Sequence, residues 1–313
     1  MSRLILGIDT SNYTTSAALY DADTKQINTA SKLLSVGKNQ IGLRQSEAVF
    51  QHTRALPDII ESVIKNSKAA PSAIAVSARP RDAQDSYMPC FIAGLSTARS
   101  ISNVLKIPVF EFSHQSGHIT AAAFGANKTE LLNDKFIAFH LSGGTTEALL
   151  VTPDNEKVFS VKLIAKTLDL NAGQVVDRVG NMLDISFPAG KSIDALAQNG
   201  VSNYKISPSL KGCDCCLSGI VNRCETLIGQ NETKENVARF CLEYILKTLD
   251  LMTERLLLKY GDLPLLYAGG VMSNSLIKSA MQKKYGANFA PPAFSSDNAA
   301  GIAVLGSMKY ESE

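Results

Sequence analysis

The sequence predicts an α/β protein built from a duplicated domain, and three features carry that prediction. Leu4 to Tyr20 and Phe136 to Val151 echo one another, each reading apolar strand, polar turn of small residues with a Thr-Thr step, then apolar strand. Strand and helix patterns then alternate, which predicts a largely parallel sheet with functional loops at strand ends. Finally, Ser142-Gly143-Gly144, Pro188-Ala189-Gly190 and Ala268-Gly269-Gly270 are expected as glycine turns after strands, where backbone amides can approach an anion. Each alone reads most simply as a plain turn. Three in one chain favour a nucleotide in a cleft between domains.

Each element has its own signal. After the first hairpin comes a polar stretch, Lys32 to Ser46, and then a helical pattern from Glu47 to Lys65 with Val49, Leu56, Ile59, Ile60 and Val63 on its apolar side. Ala73 to Ser77 reads as a strand that leads through Ala78-Arg79-Pro80-Arg81-Asp82 to a helix, Phe91 to Leu105, and a strand-like run, Ile107 to Phe112. In the second half Ala172 to Asp184 and Glu235 to Tyr260 are amphipathic helices; Val237, Cys241, Ile245, Leu249, Met252 and Leu256 form one stripe of the latter. Leu263 to Tyr267 reads as a strand, and Asn298 to Met308 as a helix of small residues.

Composition bounds the class. With 313 residues, 45% of them hydrophobic, the chain is long enough for two packed cores. The opening apolar run turns polar too soon for a secretory signal and no stretch approaches a bilayer span, so a cytoplasmic protein without a membrane partner is expected. The six cysteines read as buried thiols; Cys213, Cys215 and Cys216 crowd one short strand-like segment and lack the paired Cys-x-x-Cys knuckles of a zinc module. A net charge of +2 neither demands nor excludes nucleic acid, because binding needs a local patch.

His114-Gln-Ser-Gly-His118 gathers two of the four histidines into five residues. On a helix, positions i and i+4 lie on one face, so the pair forms a chelate for a divalent cation. The plain alternative is a pair of helix-surface or cap histidines, since chance alone gives such spacing in roughly 4% of chains with four histidines. His52 and His140 have no partner pattern and read as core or surface residues, Asp297 as the N-cap of the last helix, and Asp177 as a solvated position beside Arg178. There is no His-Glu-x-x-His, so a zincin protease is unsupported.

Taken in order, strand-Asp9-Thr-Ser, His114-x-x-x-His118, Ser142-Gly-Gly144, Ala172-Gly-Gln-Val-Val-Asp177, Pro188-Ala-Gly190, Ser218-Gly219, Ala268-Gly-Gly-Val-Met-Ser-Asn274 and Ser296-Asp297-Asn298 resemble the transferase family of tRNA threonylcarbamoyladenosine synthesis. It is called TsaD in bacteria and was formerly described as a glycoprotease or O-sialoglycoprotein endopeptidase. The resemblance covers nearly the whole chain, and the ordered set rather than any one motif makes it specific. It implies an actin-like, sugar-kinase-like (ASKHA) α/β fold, with two ribonuclease-H-like domains around a nucleotide cleft. The first would span 1–130, the second 131–297, with the C-terminal helix 298–313 packing back on the first. By position, His114, His118 and Asp297 would be metal ligands and catalytic; iron and zinc both suit them. Asp9, Ser142, Gly143, Gly144, Asp177, Gly190, Gly269, Gly270 and Asn274 would contact an adenine nucleotide, threonylcarbamoyl-AMP or ATP/AMP. The implied reaction is transfer of threonylcarbamoyl to the exocyclic amine of the adenosine next to the anticodon. Implied partners are tRNA, a smaller paralogous non-catalytic subunit and an ATPase, with a homodimer left open.

The chain also departs from the family. Tyr13 and Thr14 stand where it has an acidic pair, Thr145 where it has histidine, Gln174 for glutamate, Arg178 for lysine, and Arg79-Pro80-Arg81 for a Gly-Pro-Gly turn. The competing expectation is therefore a non-catalytic or differently specific paralogue that binds nucleotide and metal as a partner of the true transferase. An ATP-dependent kinase of the same fold fits less well, because Asp9 alone remains in the first turn and magnesium prefers carboxylates and water to imidazoles.

Overall fold

The computed structural model describes residues 3–11, 13–36, 43–294 and 298–313. In chain order the strands and α-helices are β1 (Leu4–Asp9), β2 (Thr14–Asp21), β3 (Gln26–Leu33), α1 (Gln45–Ile64), β4 (Ala73–Arg79), α2 (Phe91–Leu105), β5 (Val109–Ser113), α3 (His114–Gly125), β6 (Phe136–Leu141), β7 (Thr146–Asp154), β8 (Val158–Lys166), α4 (Ala172–Met182), α5 (Gly190–Asn199), β9 (Ser209–Lys211), β10 (Asp214–Cys216), α6 (Ser218–Gly229), α7 (Lys234–Tyr260), β11 (Leu265–Ala268), α8 (Ser275–Tyr285), β12 (Asn288–Phe289) and α9 (Asn298–Ser312). They form two compact units. Unit one comprises residues 1–133, 153–160 and 296–313, and unit two comprises 134–152 and 161–295.

The echo in the sequence becomes an echo in topology. Unit one has the sheet order β3-β2-β1-β4-β5, and unit two has β8-β7-β6-β11-β12 when read in the same sense. In each, the middle strand pairs antiparallel with the next strand in the chain and parallel with a later one: β1 with β2 and β4, β6 with β7 and β11. The sheets are thus mixed, which corrects the largely parallel sheet expected from sequence. In each sheet a strand that the sequence reading lacks, β3 in one and β8 in the other, lies beyond the hairpin. All but two of the eight residues of β3 are exposed, so it lacks the apolar alternation that reveals a half-buried strand.

The core of unit one lies where Leu4, Leu6 and Ile8 of β1 meet Leu56, Ile59, Ile60 and Val63 of α1 and Ala93 and Ala98 of α2. Each fully buried Leu or Ile contributes about 1.5–3 kcal/mol, so this face fixes the register of β1 and hence where Asp9 ends it. His52 is buried on α1 and bonds Thr15 Oγ1 through Nδ1 at 2.8 Å, a core role. α9 packs against α3, β1 and β4. Its small residues matter there: a Cβ on Gly301 would stand 1.9 Å from the Gly117 carbonyl oxygen of α3. In unit two, α7 contributes Val237, Cys241, Ile245, Leu249, Met252 and Leu256 to the core, the stripe read from sequence. All six cysteines are free, and burial pushes the Cys215 thiol up to about 12. Among the described residues no helix is long and apolar enough to cross a membrane.

Candidate active site

In unit one the site residues gather where β1 and β5 end. α3 begins at His114 directly after β5, with Ser113 as N-cap, its hydroxyl accepting the Ser116 N–H at 3.1 Å. The helix sets His118 one turn beyond His114, and the two ring centroids lie 4.5 Å apart. From the end of β1, the buried Asp9 accepts a hydrogen bond at Oδ2 from His114 Nδ1 at 2.9 Å. Since a carboxylate only accepts, this bond places the imidazole proton on Nδ1 and leaves the Nε2 lone pair for a ligand. Ser11 holds Asp9 in turn, its N–H bonding Oδ1 at 3.0 Å and its hydroxyl Oδ2 at 3.1 Å. Phe91 packs edge-on against the His114 ring at 6.1 Å between centroids. Among the described residues no cluster of three or more His, Cys, Asp or Glu stands ready for a metal, and the third expected ligand, Asp297, lies outside the described residues.

Unit two carries the expected nucleotide residues. Ser142, Gly143, Gly144 and Thr145 form the hairpin turn between β6 and β7, closed by Ser142 N to Thr145 O at 2.7 Å. Ser142 Oγ accepts the N–H groups of Gly144 and Thr145 at 3.2 and 3.1 Å, so the turn is braced by its own first side chain. A Cβ added to Gly143 or Gly144 would meet nothing within 4 Å. Nothing in the fold itself therefore demands glycine there. Behind the turn, Gly173 of α4 donates its N–H to the Ser142 carbonyl at 3.1 Å, and Thr146 Oγ1 accepts from Ala172 N at 2.8 Å. Gln174, which replaces glutamate, completes a capping box with Asn171, accepting the Asn171 N–H at 3.0 Å. An amide fills that role as well as a carboxylate does, so the substitution removes charge and keeps the cap.

Asp177 Oδ1 accepts the Ala189 N–H at 2.9 Å, which ties the middle of α4 to the start of α5, where Gly190 is the first residue. The Pro188-Ala-Gly190 turn therefore joins two helices and does not follow a strand, contrary to expectation; α5 has only two buried residues, too weak a stripe to read from sequence. Gly269 follows β11 as expected and adopts φ +99°, and a Cβ there would stand 2.2 Å from the Leu141 carbonyl oxygen. Its glycine is required by the turn itself. Gly270 follows in the same turn, and Asn274 caps α8, accepting from Ile277 N at 3.0 Å and donating through Nδ2 to Asp194 Oδ1 at 2.8 Å.

Three carboxylates outside the expected set organise these segments. Asp194 also accepts from Ser275 N and Ser275 Oγ, at 3.2 and 3.0 Å. Asp82 serves the start of α3. Asp169 accepts from Leu217 N, Ser218 N and Ser218 Oγ at 2.7, 3.1 and 2.6 Å, anchoring the Ser218-Gly219 segment. Burial would raise the Asp169 carboxyl, but its hydrogen bonds to Ser218 and to backbone N–H groups outweigh that and hold it below the usual range. A carboxyl lowered in the fold stabilises the protein above its unfolded value near pH 4 and loses that contribution as pH falls through the folded value. Denaturant melts of wild type and Asp169→Asn, taken from pH 7 down as far into acid as both remain folded, are expected to differ at neutral pH and to draw together below the unfolded carboxyl range. A constant gap across the range would show that the charge of Asp169 is irrelevant.

The sequence model of the family described as tRNA N6-adenosine threonylcarbamoyltransferase matches residues 32–304. The chain belongs to this family. Proteins of that name from Riemerella anatipestifer and Campylobacter fetus subsp. fetus are each 29% identical, covering 98% and 99% of this chain and 93% of their own lengths. As a TsaD-family protein the chain is an acyltransferase that modifies tRNA. Its α/β fold is the actin-like, sugar-kinase-like one: the ligand-bound xylulose kinase from Lactobacillus acidophilus superposes with a TM-score of 0.55 over 99% of this chain and 90% of the kinase, at 11% identity. At that identity the likeness speaks for the fold alone.

Proposed function

We propose that this chain transfers the threonylcarbamoyl group from threonylcarbamoyl-AMP to the exocyclic amine of the adenosine next to the anticodon in tRNA, with a divalent ion at His114 and His118. The carrying observation is the imidazole pair on one helix, with His114 Nδ1 engaged by Asp9 and Nε2 left to ligate. That donor set fits iron or zinc, with Asp297 as the third ligand. When bound, such an ion supplies Lewis-acid polarisation of a donor oxygen.

The protein's own residues do the remaining work. The donor is already activated as a mixed anhydride, so the chain must hold it and stabilise charge on the leaving phosphate. The Ser142 and Gly144 N–H groups serve the turn itself, which has the Gly143 N–H to offer to that phosphate, with open space at the Cβ positions of both glycines. Asp177, Gly190, Gly269, Gly270 and Asn274 serve the adenosine moiety. Asp9 acts through His114, because it is buried and its oxygens face Ser11 and His114. An amine conjugated with a purine ring is a weak nucleophile, so alignment of acceptor and donor matters more than a strong base. A smaller paralogous subunit and an ATPase are the expected partners, in the cytoplasm.

The test supplies threonylcarbamoyl-AMP and unmodified tRNA to the purified chain with its partner proteins and analyses nucleosides from the digested tRNA. Modified adenosine that disappears with a chelator and returns with iron or zinc is the expected result. Adenylate bound without any transfer, partners present, would refute the reading in favour of the binding paralogue.

A further inference from the structure

The segment before α2 that departs from the family's Gly-Pro-Gly turn does something the sequence does not announce. The first turn of any helix leaves N–H groups without intrahelical partners, and α3 has two of them met from nearby: Gln115 N donates to the Pro80 carbonyl at 3.0 Å, and Ser116 N to the Ser113 hydroxyl at 3.1 Å. Asp82 completes the arrangement. Its Oδ2 lies 3.3 Å from Ser113 Oγ and 3.2 Å from Ser116 Oγ, and the two hydroxyls are 2.8 Å apart. Each hydroxyl has one proton to give, so the consistent pattern passes through the serines and ends on Asp82 as acceptor. On its other side, Oδ1 takes Arg79 Nη2 at 2.6 Å and Nε at 3.0 Å. The Asp82 side chain is only 6% exposed, and a carboxylate so enclosed stays in place at tolerable cost only when paired. It also stands at the positive end of the α3 dipole.

We propose that Asp82, braced by Arg79, is a positioning residue that fixes the start of α3 and thereby holds His114 and His118 in the geometry a divalent cation needs. The proposal rests on the metal reading above. His114 is the first residue of α3, so a shift or fraying of that turn moves one imidazole relative to the other and to Asp9. The Ser113 hydroxyl and the Pro80 carbonyl accept the helix N–H groups; the carboxylate adds a fixed charge that ties this cap to the end of β4.

The test compares wild type, Asp82→Asn, Ser116→Ala and His114→Ala for Co(II) affinity, the Co(II) ligand-field spectrum, and the melting temperature and circular dichroism of the metal-free protein. Ser116→Ala leaves the Asp82–Arg79 pair in place and decides the matter should Asp82→Asn fail to fold. The expected result is Co(II) binding about 10- to 100-fold weaker in Asp82→Asn, with the same direction in Ser116→Ala, a changed spectrum, and helical content near wild type. Affinity within twofold of wild type with an unchanged spectrum in both variants would overturn the positioning role. So would weakening that only tracks a lower melting temperature in both, which is what a purely structural role predicts. Equal Co(II) binding by wild type and His114→Ala would instead overturn the metal reading, and this proposal with it.

Discussion

Alanine at both His114 and His118 is expected to take bound iron or zinc from about one per chain to none and to slow threonylcarbamoyl transfer about 1,000-fold or more. The magnitude follows from the several kcal/mol that a Lewis acid contributes at a developing charge. Neither imidazole is a keystone of the fold: α3 is held by its Ser113 cap and by its packing on α9. The metal-free double variant should therefore fold, with a melting temperature lowered by what the buried Asp9 loses with its His114 partner. Asp9→Asn separates orientation from ligation. An amide at that position can present its N–H to His114 and favour the wrong tautomer, so metal affinity is expected to fall about 10- to 100-fold while some binding survives. Because Asp9 acts through His114, combining Asp9→Asn with His114→Ala should cost no more than His114→Ala alone. Additive losses in metal affinity, measured by competition with a chromophoric chelator, would contradict that coupling.

How much of this was legible in the sequence depends on how far each interaction reaches. The α3 pair was, because its logic is local: a strand-like run followed by two histidines four residues apart. So was the hairpin echo, since β1–β2 and β6–β7 carry both strands and their turn within one short segment. β3 was invisible because it is mostly exposed. The helix α5 was missed for a related reason, and with it the nature of the Pro188-Ala-Gly190 turn. Asp82, Asp169 and Asp194 escaped for a different one. Each satisfies the start of a helix 31, 48 and 80 residues further along the chain, respectively. A cap such as Ser113 or Asn274 marks its own helix, but nothing local marks the carboxylate that steadies it from elsewhere. The departures at Arg79 and Gln174 are not hidden by distance: each looks like a loss in a motif and proves to be a local contact, an ion pair with Asp82 and a capping box with Asn171, each partner three residues away.

Alanine at Gly143 and Gly144 is expected to leave the fold intact, or slightly more stable, and to weaken adenylate binding about tenfold or more. Neither residue has a positive φ, and a Cβ at either position meets no atom within 4 Å, so the unfolded chain loses freedom while the folded chain loses nothing. Any large effect must come from a ligand whose phosphate approaches that backbone; one charge-assisted hydrogen bond lost there is worth about 1.5–3 kcal/mol. Gly173→Ala supplies the contrast. Its Cβ would stand 2.6 Å from Gly143 N and 2.7 Å from Gly143 Cα, and backbone cannot rotate aside as a side chain can. Overpacking of that kind costs about 1–3 kcal/mol, so Gly173→Ala should lower the melting temperature as well as the affinity. Thermal melts and calorimetric titration with AMP on the two variants would separate the cases. If the Gly143 and Gly144 substitutions leave AMP affinity unchanged, no phosphate rests on this turn, and the open space above it reflects only an exposed hairpin.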